Sequence, residues 1–156
     1  MSFRILGLDS APFVPLYGLP DAKLAGRGVR RYVADAKPGY PDRVEMRDAE
    51  PGETLLLLNH THLPADNPYR ASHAIFVREG ARQRFDRVDE VPEVLRVRML
   101  SVRSFDAEAM MLDAALVNGT ELEAAIERLL APPAAQFLHV HYATRGCYAA
   151  RVERAG

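Results

Sequence analysis

The chain has one cysteine, Cys147. A lone thiol excludes an intrachain disulfide and any zinc site built on several thiolates. Lysine is nearly missing: Lys23 and Lys37 stand against a sequence whose basic residues are otherwise arginine. Net charge is only −1, so no overall field draws the chain to nucleic acid or to an anionic membrane. No apolar run approaches the ~20 residues needed to span a bilayer. The opening MSFRILGLDSAPF has no basic stretch followed by a long apolar one, as a secretory signal would. The phosphate-cradling glycine patterns and the G-x-S-x-G nucleophile turn do not occur. No basic stripe carries interleaved aromatics of the kind that bind single-stranded nucleic acid. The resulting expectation is a soluble cytoplasmic protein with neither nucleic acid nor membrane among its partners.

What is present reads as one globular domain over 1–156. Hydrophobic residues make up 48% and charged residues 26% of 156, a composition that folds rather than stays disordered. Phe3 to Leu8 reads as a strand. Short helical turns follow over Pro12–Tyr17 and from Pro20 to about Gly26, and Val29–Asp35 is a second strand. Arg43–Arg47 alternates as a half-buried strand would. The Pro51-Gly52 turn leads into Thr54–His62, whose four successive leucines imply burial on both faces and a central place in a sheet. His73–Arg78 follows, then a charged surface excursion over 79–91 and a helical turn at Pro92–Arg96. Val97–Phe105 and Met110–Val117 read as a hairpin. Thr120 and Glu123 match a capping box. Behind them Leu122, Ala125, Ile126, Leu129 and Leu130 form one apolar helical face, each large residue worth ~1.5–3 kcal/mol on burial. Phe137–Tyr142 and Cys147–Glu153 make a closing hairpin. The fold class is α+β: a mostly antiparallel sheet, one main amphipathic helix at about 120–130 packed on one face, and short N-terminal helical turns.

The segment TLLLLNHTHLPADNPYRASH, 54–73, holds three of the five histidines. Residues two apart on a strand share a face. His60 and His62 therefore point together, and so do His139 and His141 in FLHVHY. Neutral imidazoles converging from two strands are a common way to hold a divalent metal. His60, His62 and His139 are the candidate ligands, against the plainer reading that the rings bond loop backbone. The loop from Pro64 to Ser72 carries Tyr69 and Arg70, an aromatic plane and a cation that grips carboxylates. With Asn59, His60 and His62 they are the candidate ligand-binding residues. His73, His139 and Cys147 are the candidate catalytic residues. Cys147 faces the second histidine pair if Thr144-Arg145-Gly146 is the turn and Gly146 is left-handed. A turn one residue shorter or longer sends it to the other face. Asp113, in an apolar strand, is expected to pair with Arg103 across the hairpin.

The blocks AKPGYP (36–41), RDAEPGETLLLLNH (47–60), NPYRASHAIFV (67–77), RMLSVRSFD (98–106) and HVHYATRGCYAARVER (139–154) resemble an uncharacterised bacterial family. It is the domain of unknown function twelve-hundred-and-three. The resemblance implies a small bacterial single-domain protein and brings no assigned catalytic residue. In that family pattern Cys often stands at the position of Asp42 and Arg at that of His141, which favours His139 as the functional member of its pair. Two functions remain in competition. One is a small-molecule-binding protein or enzyme with its pocket at the 59–73 loop near His139, with or without a divalent metal. The other is a non-catalytic interaction module that self-associates as a homo-oligomer.

Overall fold

The computed structural model describes residues 1–156. Nine strands form two antiparallel sheets. They are β1 (Phe3–Leu6), β2 (Arg30–Val33), β3 (Thr54–Leu63), β4 (Ala71–Arg78), β5 (Asp86–Val88), β6 (Met99–Phe105), β7 (Met111–Asn118), β8 (Phe137–Tyr142) and β9 (Tyr148–Arg154). The larger sheet has the order β5-β1-β9-β8-β6-β7 and the smaller the order β2-β3-β4. Two short helices, α1 (Asp21–Ala25) and α2 (Glu93–Arg96), and one longer helix, α3 (Leu122–Leu130), complete the chain. No helix is long and apolar enough to cross a membrane.

The amphipathic helix does what its spacing implies. Leu122, Ile126, Leu129 and Leu130 are buried against Ile5, Leu100, Val102, Leu138, Val140 and Val152 of the larger sheet. A second core lies on β3 and β4, where Leu56, Leu58, Ile75 and Val77 are covered by Phe13, Leu24 and Val29 from the N-terminal turns. Those turns are too short to be stable alone and gain their order from this docking. All six residues of β8 are buried. One of its faces lies under α3 and the other meets the end of β3, which fixes the place of the histidines.

Four local readings are corrected. The leucine strand is central, but in a sheet of three rather than in the main one. Residues 43–47 are not a strand: Met46 has φ 57, and the Asp42 carboxylate takes the amides of Glu45 at 2.7 Å and Arg78 at 2.8 Å. That side chain supplies the partners a sheet ladder would otherwise give. The 79–91 excursion contains β5, which pairs with β1 and hides in a charged sequence because it is an edge strand. The capping box does not close either. Asn118 accepts the Thr120 amide at 3.2 Å in a 3-10 turn that precedes α3, while Glu123 pairs with Arg96.

Candidate functional site

Alternation along β3 places His60 and His62 behind Leu56 and Leu58, and alternation along β8 places His139 and His141 behind Phe137. The two pairs meet between the sheets. The His62 ring centroid lies 5.0 Å from that of His141 and 5.9 Å from that of His139. Tyr148 of β9, opposite His141 in the register, closes the group. Its ring stacks on His62 at 5.1 Å and stands edge-on to His139 at 4.9 Å. His60 lies further out, 6.2 Å from the rings of both Phe13 and Tyr148.

Burial decides the charge of this cluster. His139 is only 3% exposed and His141 only 2%. Desolvation of the charged form lowers His62 and His141 to about 4 and His139 to about 2, and the neighbouring imidazoles and Arg103 act in the same direction. The rings are neutral at pH 7. His141 Nδ1 is 2.9 Å from the Gly146 carbonyl, so that nitrogen carries the proton. His62 Nδ1 and His139 Nδ1 are buried without any hydrogen-bond partner. Even so, no group of three or more His, Cys, Asp or Glu side chains has its donors placed to hold one metal ion. Of the metal candidates, His62 and His139 are thus close together while His60 lies further out, and the three form no ligand set.

The remaining candidates separate. His73 lies opposite His60, is half-buried, and has Nδ1 3.0 Å from the Ala74 carbonyl. Asn59 and His60 border a shallow depression of about 390 Å³ with Phe13 and Arg27. The 64–70 loop is a strap. Asn67 Nδ2 donates to the carbonyls of Glu108 at 3.1 Å and Ala109 at 3.0 Å, and Arg70 donates to the Pro64 carbonyl at 2.9 Å. Tyr69 packs edge-on to Phe105 at 6.4 Å, and Phe105 stands between it and His139. Asp113 is exposed and pairs with Arg128 at 3.5 Å, not with Arg103.

Cys147 does not join the histidines. Gly146 is left-handed at φ 80, but the turn is Ala143-Thr144-Arg145. The Gly146 amide donates to the Tyr142 carbonyl and the Tyr142 amide to the Cys147 carbonyl. The bulge therefore sets Cys147 opposite Tyr142, and its thiol turns away from His139 and His141. It faces a hollow of about 360 Å³ lined by Arg43, Leu57, His73, Phe76, Arg98, Met99, Tyr142 and Arg145, among others. A broader concavity of about 750 Å³ at Arg31 opens widely to solvent, and its cation is already engaged by Asp21 and Glu79.

The hollow contains residues that sequence reading passed over. Arg43 is 1% exposed. It donates to the Tyr148 carbonyl at 2.8 Å, the Pro41 carbonyl at 2.6 Å and the Cys147 sulfur at 3.0 Å. Arg98 pairs with Asp48 at 2.7 Å. Both guanidiniums lie against the Tyr142 ring, at 4.9 and 5.0 Å from its centroid. Burial pushes the Tyr142 hydroxyl up to about 12, so it keeps its proton at pH 7. That hydroxyl is buried and has no hydrogen-bond partner. In the sequence, the one signal for this site was the Arg145-Gly146-Cys147 turn. Nothing marked Arg43, because its segment read as a half-exposed strand.

A family model described as protein of unknown function (DUF1203) matches residues 39–154. The chain belongs to that family. No curated protein and no solved structure matches it.

Proposed function

We propose that this member of the DUF1203 family binds a small organic anion, a carboxylate with an apolar body, in the hollow between Tyr142 and His73. The carrying observation is the buried Tyr142 hydroxyl without a partner. A buried donor left unpaired is unfavourable by about 1–3 kcal/mol, and the two guanidiniums against its ring only donate. Arg43 and Arg98 are cations with their own acceptors, and no carboxylate lines the space. Arg145, exposed at the rim, offers a forked donor suited to a carboxylate. Leu57, Phe76 and Met99 supply an apolar wall for the rest of the ligand. The size fits the low end of small-molecule sites.

On this reading the ligand lies beside His73, the last residue of the 59–73 segment, with Cys147 in the wall. The reading is tested by thermal shift and calorimetry with benzoate and hexanoate against benzamide and hexylamine. Carboxylates are expected to stabilise the protein, and the neutral amide and the amine are not. Tyr142→Phe removes the hydroxyl alone and is expected to weaken carboxylate binding about tenfold, the equivalent of ~1.4 kcal/mol. Equal binding of benzoate and benzamide, or an unchanged affinity in Tyr142→Phe, would remove the proposal.

A further inference from the structure

Arg43 is a buried cation without a carboxylate. Its guanidinium donates to the carbonyls of Tyr148 and Pro41 and to the sulfur of Cys147, at 2.8, 2.6 and 3.0 Å. The two carbonyls are neutral, and an ion buried without a counter-charge is unfavourable. Arg98, also against the Tyr142 ring, is already matched by Asp48. Cys147 is thus the bonded partner of Arg43 that can become an anion. It lines the hollow and is 8% exposed.

The same wall holds a second observation. Tyr142 stands opposite Cys147 at the β8–β9 turn, its amide donating to the Cys147 carbonyl at 2.9 Å. Opposed residues of an antiparallel pair put their side chains on one face. The Tyr142 side chain lines the hollow, is 5% exposed, and has a hydroxyl with no partner. A sulfur nucleophile, a cation without a counter-charge and an unused proton donor therefore border one space.

We infer that Cys147 is a peroxide-reactive thiol, oxidised by a hydroperoxide to a sulfenate that Arg43 and Tyr142 hold. The nucleophile is the thiolate, with Arg43 placed to carry its counter-charge. The sulfur attacks the terminal oxygen of the hydroperoxide. A sulfur–oxygen bond forms and the oxygen–oxygen bond breaks. The other oxygen leaves with the electron pair, takes the Tyr142 proton and departs as an alcohol or, from hydrogen peroxide, as water. The proton of the new sulfenic acid returns to the Tyr142 oxygen. The net change is thiolate and hydroperoxide to sulfenate and alcohol, with sulfur oxidised and the peroxide reduced. The sulfenate oxygen is the acceptor that the Tyr142 hydroxyl lacks, and its charge is the one that Arg43 lacks. The chain has no second cysteine, so the sulfenate cannot close an intrachain disulfide and returns to the thiol through an external thiol. The inference uses the hollow of the preceding proposal but needs no carboxylate in it.

Hydrogen peroxide, with dimedone to trap the sulfenate and intact mass to count it, tests this against the same chain unfolded in urea. Native Cys147 is expected to react at least about tenfold faster than the unfolded thiol. Cys147→Ser is expected to give no trapped adduct. Tyr142→Phe removes the proton donor, and its peroxide rate is expected to fall about tenfold. Its alkylation by iodoacetamide, from which iodide leaves without a proton, is expected to keep the wild-type rate. A native thiol slower than the unfolded one overturns the inference and marks Cys147 as shielded core. So does a Tyr142→Phe variant that reacts with peroxide like wild type, or one that loses both reactions equally. None of these rates involves a carboxylate, so they stand whether or not benzoate binds.

Discussion

Two polar groups are buried on either side of the β8–β9 turn, and they are stabilised in opposite ways. Around Tyr142 the charges are kept. Arg43 has three acceptors and Arg98 has Asp48. Between the sheets the charges are given up. His62, His139 and His141 are neutral because burial disfavours the imidazolium, and two of their nitrogens have no partner at all. A buried cation persists where the backbone supplies enough acceptors, and a buried titratable ring discharges where it does not. The first group is therefore sensitive to mutation, and the second to pH.

Acid should separate them most widely. An imidazole neutral in the fold and protonated in the unfolded chain makes the unfolded state bind more protons. Stability is then complete above about 6.5 and falls as the pH drops toward about 4, the lowered value of His62 and His141. Each such ring contributes a slope of ~1.4 kcal/mol per pH unit, so His139 and His141 together give roughly 3 kcal/mol per unit. Glu53 and Glu79, held down to about 2 chiefly by Arg47 and Arg31, lose their contribution as the pH falls from the ordinary carboxylate value toward about 2. Urea midpoints measured from pH 7.5 to 3 should thus fall in two stages, the first between 6.5 and about 4. A flat midpoint from pH 7 to 5 would show that the histidines are not held neutral.

Mutation of the charged group comes next in size. Arg43→Met keeps much of the volume but removes every hydrogen bond of the guanidinium. The carbonyls of Tyr148 and Pro41 are left bare, and the expected loss is about 3 kcal/mol in urea unfolding. The pH dependence between 6.5 and 4 should stay the same, because no histidine loses its environment. A variant as stable as wild type would mean that the arginine's desolvation cancels its hydrogen bonds.

The sequence carried the histidine cluster better than the arginine group, for a physical reason. His60, His62, His139 and His141 lie on strands whose alternation and apolar neighbours could be read, so their shared faces followed. Their meeting depended on β3 crossing from the smaller sheet onto β8, which no local pattern encodes. α3 was legible from its apolar period, while its cap was not, because Asn118 competes with Thr120 over a single turn. The face of Cys147 stayed open because it turns on one residue of turn length, enough to reverse it. Arg43 was illegible because its burial is created by a loop folded on Asp42, and loops of that kind have no periodicity.

The smallest effect probes the histidine side most directly. His139 lies between Phe105 and Phe137, with ring centroids at 5.3 and 5.1 Å, and its Nδ1 has no partner. Phe fills nearly the same shape and brings no polar atom. Replacing a buried unpaired group with an apolar one of similar shape is neutral to stabilising, so His139→Phe should raise the urea-derived stability by about 1 kcal/mol at pH 7. The gain should grow as the pH falls, since one of the rings that resist protonation has gone. The opposite sign would be equally informative. If His139→Phe destabilises the protein at pH 7, the imidazole has a partner in solution that its neighbours in the chain do not supply. The cluster between the sheets would then be a binding site in its own right, and the contrast with the arginine group would be one of ligands and not of charge.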